Sequence, residues 1–231
     1  MLLLAVDTSG KNGSLALAFA TPGEKEIAVL EVVPLDGGAF SAQLVPQIAA
    51  SLEKHGHNKR DLGVFAVVNG PGSFTGLRVG LAAIKGLAEA LQKPIVALSL
   101  LEAVAQTAAK RGRIVAALNA GRGDAYVGDY EIFGDGIQSS RVVSERLLSR
   151  EELLATAANA TAEGRSIATP DLALADALRA AGVVVEQVEY PNAGVIARLG
   201  WARFERGETV SPDDLEANYM RHSDAEIFSK P

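Results

Sequence analysis

Residues 69–80 read Asn-Gly-Pro-Gly-Ser-Phe-Thr-Gly-Leu-Arg-Val-Gly. An apolar run, Val64-Phe65-Ala66-Val67-Val68, enters this stretch, and an apolar segment leaves it. The pattern is a strand turning sharply into a helix. Gly70, Gly72 and Gly76 permit torsions or close approaches that a Cβ forbids. Pro71 stiffens the turn, and Ser73 or Thr75 can cap the new helix. Such a turn aims several N–H groups at one spot, which suits an anion or a closely packed neighbour. It is not a P-loop, because no Lys-Ser/Thr pair follows the glycines.

Upstream, Leu2 to Val6 is a continuous apolar run that stops at Asp7-Thr8-Ser9-Gly10. Ser14 to Ala20 and Ile27 to Val33 read as two more strands, so the chain opens on an antiparallel meander. Ser41 to Lys54 has helical spacing, with Leu44, Val45, Ile48 and Leu52 on one face. Pro46 should loosen its first turn, and His55-Gly56 should close it. Downstream of the glycine turn, a helix runs from about Leu77 to Leu91, then a short strand from Ile95 to Leu98, then a helix capped by Ser99 and running to about Arg111.

A second unit then opens like the first. Ile114 to Leu118 is a strand, residues 119–124 a polar turn, and Ala125 to Phe133 a strand. Helices near Arg150–Ala158, Pro170–Ala181 and Ala193–Arg206 alternate with strands near Ile167 and at Val183–Val188, and Ser211–Pro231 reads as irregular. Two units with one opening pattern predict a duplicated α/β architecture. No low-complexity linker separates them, so tight packing of the halves is expected.

The helix at 78–91 has too few polar residues for one exposed side. Arg78, Lys85 and Glu89 fall in a single stripe. Ile84, Leu87 and Leu91 form a bulky apolar face, and Val79, Ala83, Gly86 and Ala90 form a second face of small residues. One face can cover its own sheet. The other should meet a second helix at short range, either inside the same domain or across an intermolecular interface.

The chemistry-bearing residues are sparse. The chain of 231 residues has no cysteine, which removes disulfides, thiolate metal sites and cysteine nucleophiles. Its net charge of −6, without a basic cluster, argues against high-affinity binding of nucleic acid by the chain alone. Met1–Asp7 lacks the basic region of a signal peptide, no apolar run approaches the ~20 residues of a membrane span, and a cytoplasmic protein is expected. His55 and His57 lack the i, i+4 spacing of paired ligands, and His222 stands alone, so no metal site is expected. Gly72-Ser73-Phe74 is not a Gly-x-Ser-x-Gly elbow. Asp7, ending a buried strand, is the one polar candidate. It can hold a hydrated cation near phosphate, or it can cap the N–H groups of residues 9 and 10. The matching position in the second unit is Asn119, which is neutral.

Several segments together carry a resemblance. They are Leu4-Ala5-Val6-Asp7-Thr8-Ser9, Ser41-Ala42-Gln43-Leu44-Val45-Pro46, Gly70-Pro71-Gly72-Ser73-Phe74-Thr75-Gly76-Leu77-Arg78-Val79-Gly80, Ala97-Leu98-Ser99-Leu100-Leu101, Asn119-Ala120-Gly121-Arg122-Gly123-Asp124-Ala125-Tyr126 and Tyr219-Met220-Arg221. In this order they closely resemble the TsaB (YeaZ) family, from Met1 to about Arg221. The resemblance implies an α/β, two-lobed fold of the actin, sugar kinase and Hsp70 type, each lobe a mixed sheet with flanking helices. The lobes are expected at 1–105, with the dimerisation helices, and at 106–231. It implies a non-catalytic scaffold that binds TsaD, with TsaE as ATPase, for N6-threonylcarbamoylation of adenosine 37 in tRNAs reading ANN codons. It also implies a homodimer in isolation, tRNA contacts only through the complex, no cofactor and no membrane.

On this reading Val79, Ala83, Gly86 and Ala90, with Leu44 and Ile48, form the interface toward TsaD or a second copy. Asp7, Thr8, Ser9, Gly70, Gly72, Ser73, Thr75 and Gly76 form a phosphate loop or a structural turn. The family commonly has His at the position of Phe40 and Asp-Ala-Arg at Asn119-Ala120-Gly121, and both departures weaken a nucleotide or metal site. The alternative is a small-molecule kinase or nucleotide-binding protein of the same fold. The M22 glycoprotease activity once attached to such chains lacks a nucleophile–base pair or metal set here.

Overall fold

The structure is a computed structural model, and it describes residues 1–133 and 139–221. His222 and the rest of the expected irregular end, 222–231, lie outside the described residues.

Two five-stranded sheets share one topology. In the first, β1 (Leu2–Asp7), β2 (Gly13–Ala20) and β3 (Ile27–Leu35) form the expected antiparallel meander, and β4 (Leu62–Gly70) and β5 (Ile95–Ser99) add in parallel on the other side of β1, in the order β3-β2-β1-β4-β5. In the second, β6 (Gly112–Gly121), β7 (Asp124–Phe133) and β8 (Ser139–Leu148) form the meander, and β9 (Ser166–Thr169) and β10 (Val185–Gln187) add in parallel, in the order β8-β7-β6-β9-β10. The duplication is strand for strand.

The sheets are layered between helices. α1 (Phe40–Lys54) and α2 (Phe74–Leu91) cover the outer face of the first sheet, around Leu4, Val6, Phe65 and Ile84. α4 (Arg150–Ala162) and α5 (Leu172–Ala180) cover the outer face of the second. Between the sheets, α3 (Leu100–Thr107) and α6 (Ala193–Glu205) sit in one continuous core that draws Leu3 and Val68 from one sheet and Ile114 and Tyr130 from the other. Each fully buried aliphatic side chain in such a core contributes about 1.5–3 kcal/mol, so the shared layer joins the lobes firmly.

Several elements depart from the expectations. β8 has no counterpart in the sequence reading, because Val143 is an extra residue in its pairing with β7 and breaks the alternation that marks a strand. α3 stops at Thr107, short of Arg111. α2 starts at Phe74, a turn earlier than Leu77, with Ser73 as the cap. Its core-facing side is Leu77, Leu81, Ile84 and Ala88, while Leu87 and Leu91 lie half-buried at the margin. α1 runs unbroken with Pro46 on its exposed side. α6, which sequence order assigns to the second half, packs on all five strands of the first sheet. Its Trp201 is fully buried and donates its indole N–H to the carbonyl of Glu24, 2.7 Å away.

After α6 the chain returns across both lobes as a strap. Val210 pairs with Ile95 of β5, and Leu215 is buried in the outer core of the first lobe. The Asn218 N–H donates to the Asn69 carbonyl (2.7 Å), and its side-chain amide donates to Glu145 on β8 (3.0 Å). Arg221 pairs with Asp124 at the start of β7 (2.7 Å).

Candidate functional site

A cleft of about 750 Å³ lies between the lobes, lined by the β1–β2 loop, the glycine turn and the end of β6. Of the expected loop residues, Ser9, Gly72, Ser73, Thr75 and Gly76 line it, whereas Asp7 and Thr8 are buried and Gly70 faces the strap. Their bonding, however, is internal. Asp7 is 1% exposed, and its Oδ1 accepts from the Ser9 N–H (2.8 Å) and the Ser9 hydroxyl (2.5 Å). Burial raises its carboxyl above the usual range, partly offset by the two bonds from Ser9. The Thr8 hydroxyl donates to the Gly76 carbonyl (2.7 Å), and the Ser73 N–H donates to the Ser9 carbonyl (2.7 Å). The Gly76 N–H goes to the Ser73 hydroxyl and the Leu77 N–H to the Ser73 carbonyl. Of the expected capping pair on Asp7, the Ser9 N–H is engaged.

The glycines have one explanation in common. A Cβ on Gly72 would run into the carbonyl of Ser9, one on Gly76 into the carbonyl of Thr8, and one on Gly80 into the Thr8 hydroxyl. Gly70, at φ +140°, faces the backbone of Asn218. The turn is shaped for a closely packed neighbour, and that neighbour is the β1–β2 loop on one side and the strap on the other.

Tyr190 was not foreseen at this site. It is 43% exposed, but its hydroxyl end is tucked in, 2.6 Å from where a Cβ on Gly10 would sit. Burial and then the charge of Asp7 push its phenol well up, so it stays a neutral hydrogen-bonding group. No local pattern in the sequence marks it, because it reaches Asp7 from the loop before α6. Across the cleft, Asn119 accepts from the Gly121 N–H (2.7 Å) and closes its own turn, and Phe40 is buried with its ring edge over Gly13. His55 lies beside Glu31 and His57 beside Asp61. Among the described residues no group of three or more His, Asp or Glu side chains could hold a metal ion.

The interface candidates divide into two sets. Leu44 (1% exposed) and Ile48 (4%) are spent inside the first lobe, packed under α1, and cannot offer contact area to a partner. The small-residue side of α2 is uncovered. Ala82, Gly86 and Ala90 are exposed, Val79 and Ala83 half-buried, and a Cβ on Gly86 would meet no atom within 4 Å. The neighbouring helix α1 carries its own exposed apolar stripe of Ala42, Val45, Pro46 and Ala49. Val79 and Ala83 pack toward the outer core that α1 shares, and Gly86 and Ala90 stay uncovered among the described residues.

Comparison with known proteins agrees with this architecture. Residues 32–190 match the family model described as TsaD, tRNA N6-adenosine threonylcarbamoyltransferase. The tRNA threonylcarbamoyladenosine biosynthesis protein TsaB of Escherichia coli K12 is 28% identical over 228 residues, covering 96% of both chains. TsaB of Haemophilus influenzae is 27% identical, covering 96% of this chain and 94% of the relative. Among solved structures, YeaZ from Pseudomonas aeruginosa superimposes with a TM-score of 0.72 at 25% identity, over 94% of this chain and 100% of the other. A second Pseudomonas aeruginosa protein, described as similar to peptidase YeaZ, gives a TM-score of 0.75 at 27% identity, over 95% and 99% of the two chains. The fold is the two-lobed one of actin, sugar kinases and Hsp70, and the chain belongs to the TsaD-type tRNA N6-adenosine threonylcarbamoyltransferase family, on its TsaB (YeaZ) branch.

Proposed function

We propose that this chain serves tRNA threonylcarbamoyladenosine synthesis in the cytoplasm as a non-catalytic scaffold. It binds a TsaD partner, with TsaE joining the assembly, and pairs with a second copy of itself when TsaD is absent. The observation that carries the reading is the uncovered small-residue side of α2 beside the apolar stripe of α1. Small side chains let a facing helix approach closely, and a specific interface of this kind buries on the order of 1,600 Å² around a well-packed centre.

The cleft supports a non-catalytic role. Transfer of a phosphoryl or carbamoyl group needs preorganised charge where the leaving group departs, from a metal ion or a cationic clamp. Asp7 is committed to Ser9 and hemmed in by Tyr190, and Asn119 brings no charge from the other lobe. The same two facts count against the kinase-like alternative.

The test is association of the chain with its cognate TsaD in the analytical ultracentrifuge. The wild type should form a complex, and Gly86→Arg should sediment as a folded monomer that binds neither TsaD nor itself. A Gly86→Arg protein with full TsaD affinity would remove the scaffold surface. Turnover of ATP or threonylcarbamoyl-adenylate by the purified chain alone, abolished in Asp7→Ala, would put the kinase-like reading first.

A further inference from the structure

A second, smaller groove of about 390 Å³ opens beside the cleft, where the glycine turn, the β6–β7 turn and the strap meet. Aromatic rings and arginines line it, among them Phe74, Tyr126, Tyr219, Arg122 and Arg221. Phe74 is 43% exposed and Tyr219 38%, with ring centroids 5.1 Å apart. The Arg78 guanidinium lies 3.6 Å above the Phe74 ring, and its Nε donates to the Tyr219 hydroxyl (3.1 Å). Arg78 is itself exposed and stands at the side of the groove, beside Phe74 and Tyr219. No carboxylate among the described residues lies within ion-pair distance of Arg78, unlike Arg221, which Asp124 neutralises.

We propose that this groove is a contact site for an unpaired RNA nucleotide, its base stacked on the Tyr219–Phe74 rings and its phosphate on Arg78. Exposed rings beside an exposed guanidinium match a base and its phosphate together, and base–aromatic stacking tolerates any base. A carboxylate from a protein partner would satisfy Arg78 but leave the rings unexplained. At a net charge of −6 the chain has no field to draw RNA in. The contact is therefore one made after other surfaces have captured the RNA. The source of that RNA, a tRNA under modification, rests on the scaffold reading; the chemistry of the groove does not.

The probe is a short RNA hairpin with 4-thiouridine in its single-stranded loop, photo-cross-linked at low salt to the full chain and, separately, to its mixture with TsaD. Cross-links are expected in peptides spanning 71–78 or 217–221. Phe74→Ala and Arg78→Ala should each lower the yield about fivefold, the low end of what a lost stack costs. Phe74→Leu, which keeps the packing under the strap and removes the ring, should do the same with an unchanged melting temperature. Cross-links that map elsewhere, yields that survive Phe74→Leu and Arg78→Ala, or a loop-free RNA duplex that cross-links equally well would each overturn the proposal. Absence of TsaD binding, measured in the same samples by calorimetry, would strike the scaffold reading instead and leave the cross-links on the isolated chain interpretable.

Discussion

The backbone carbonyl oxygen of Asn218 lies 2.5 Å from the point that a Cβ on Gly70 would occupy. No real Cβ tolerates that separation, and φ at Gly70 is +140°, so any side chain there meets both a clash and a strained backbone. The strap and the glycine turn are thus fitted to each other. Gly70→Ala should cost on the order of 2 kcal/mol or more in urea unfolding. Gly86→Ala is the opposing control. It sits in an exposed helix interior with open space around it, and it should stabilise the isolated chain by about 0.5–1 kcal/mol.

On α1, buried and exposed apolar residues should separate stability from association. Ile48→Ala removes a core side chain and should cost about 2–5 kcal/mol without changing the affinity of the folded fraction for TsaD. Val45→Glu alters a residue that is 55% exposed. It should leave the melting temperature nearly unchanged and weaken self-association, as read by sedimentation equilibrium.

The burial of Asp7 sets a pH dependence. Its folded carboxyl pKa is raised above 3.8, so the folded state holds the proton more tightly than the unfolded chain. Its contribution is therefore most favourable below pH 3.8 and is lost as pH rises through the raised folded value. Asp7→Asn keeps an oxygen for the Ser9 N–H and removes the buried charge. It should be at least as stable as the wild type at pH 7, with the difference shrinking in acid. A clear loss of stability at pH 7 would show that the charge of Asp7 is used, as a cation site would use it.

Glu102, 1% exposed on α3, is held by Arg203 of α6 at 2.6 Å and by the Ser140 hydroxyl of β8. Three elements from both lobes meet at this carboxylate. Arg203→Met should cost about 3–5 kcal/mol, because it strands a buried charge. The double change Glu102→Gln with Arg203→Met should recover much of that loss, and a double-mutant cycle from chemical denaturation measures the coupling.

The duplicated architecture was legible because each lobe opens on an uninterrupted apolar strand and a polar turn, and both signals are local. The exposed faces of α1 and α2 were legible in part. Periodicity separated the small face of α2 from its bulky one, but on α1 it could not distinguish Ile48, on the buried side, from Val45 on the exposed side. β8 was hidden by its bulge at Val143. Tyr190 and Asn218 were hidden for another reason. Each acts on a partner more than a hundred residues away, Asp7 and Gly70, and nothing in the neighbouring sequence records the meeting. The glycine turn showed its geometry in sequence but not its occupant, since a carbonyl and a phosphate ask for the same missing Cβ.

The return of α6 and the strap to the first sheet sets an order on biosynthesis. Strands β1 to β5 and helices α1 and α2 leave the ribosome early, yet the inner face of their sheet is covered by Ile196, Leu199 and Trp201, and their outer core is completed by Leu215. Until residues 193–218 emerge, the first lobe presents an uncovered sheet of Ala5, Ala16, Ala66 and Val68 to solvent, the kind of surface that chaperones hold. Translation arrested after residue 190 should yield a chaperone-bound, protease-sensitive chain. Arrest once residue 221 has cleared the exit tunnel should yield a first lobe that resists the same protease.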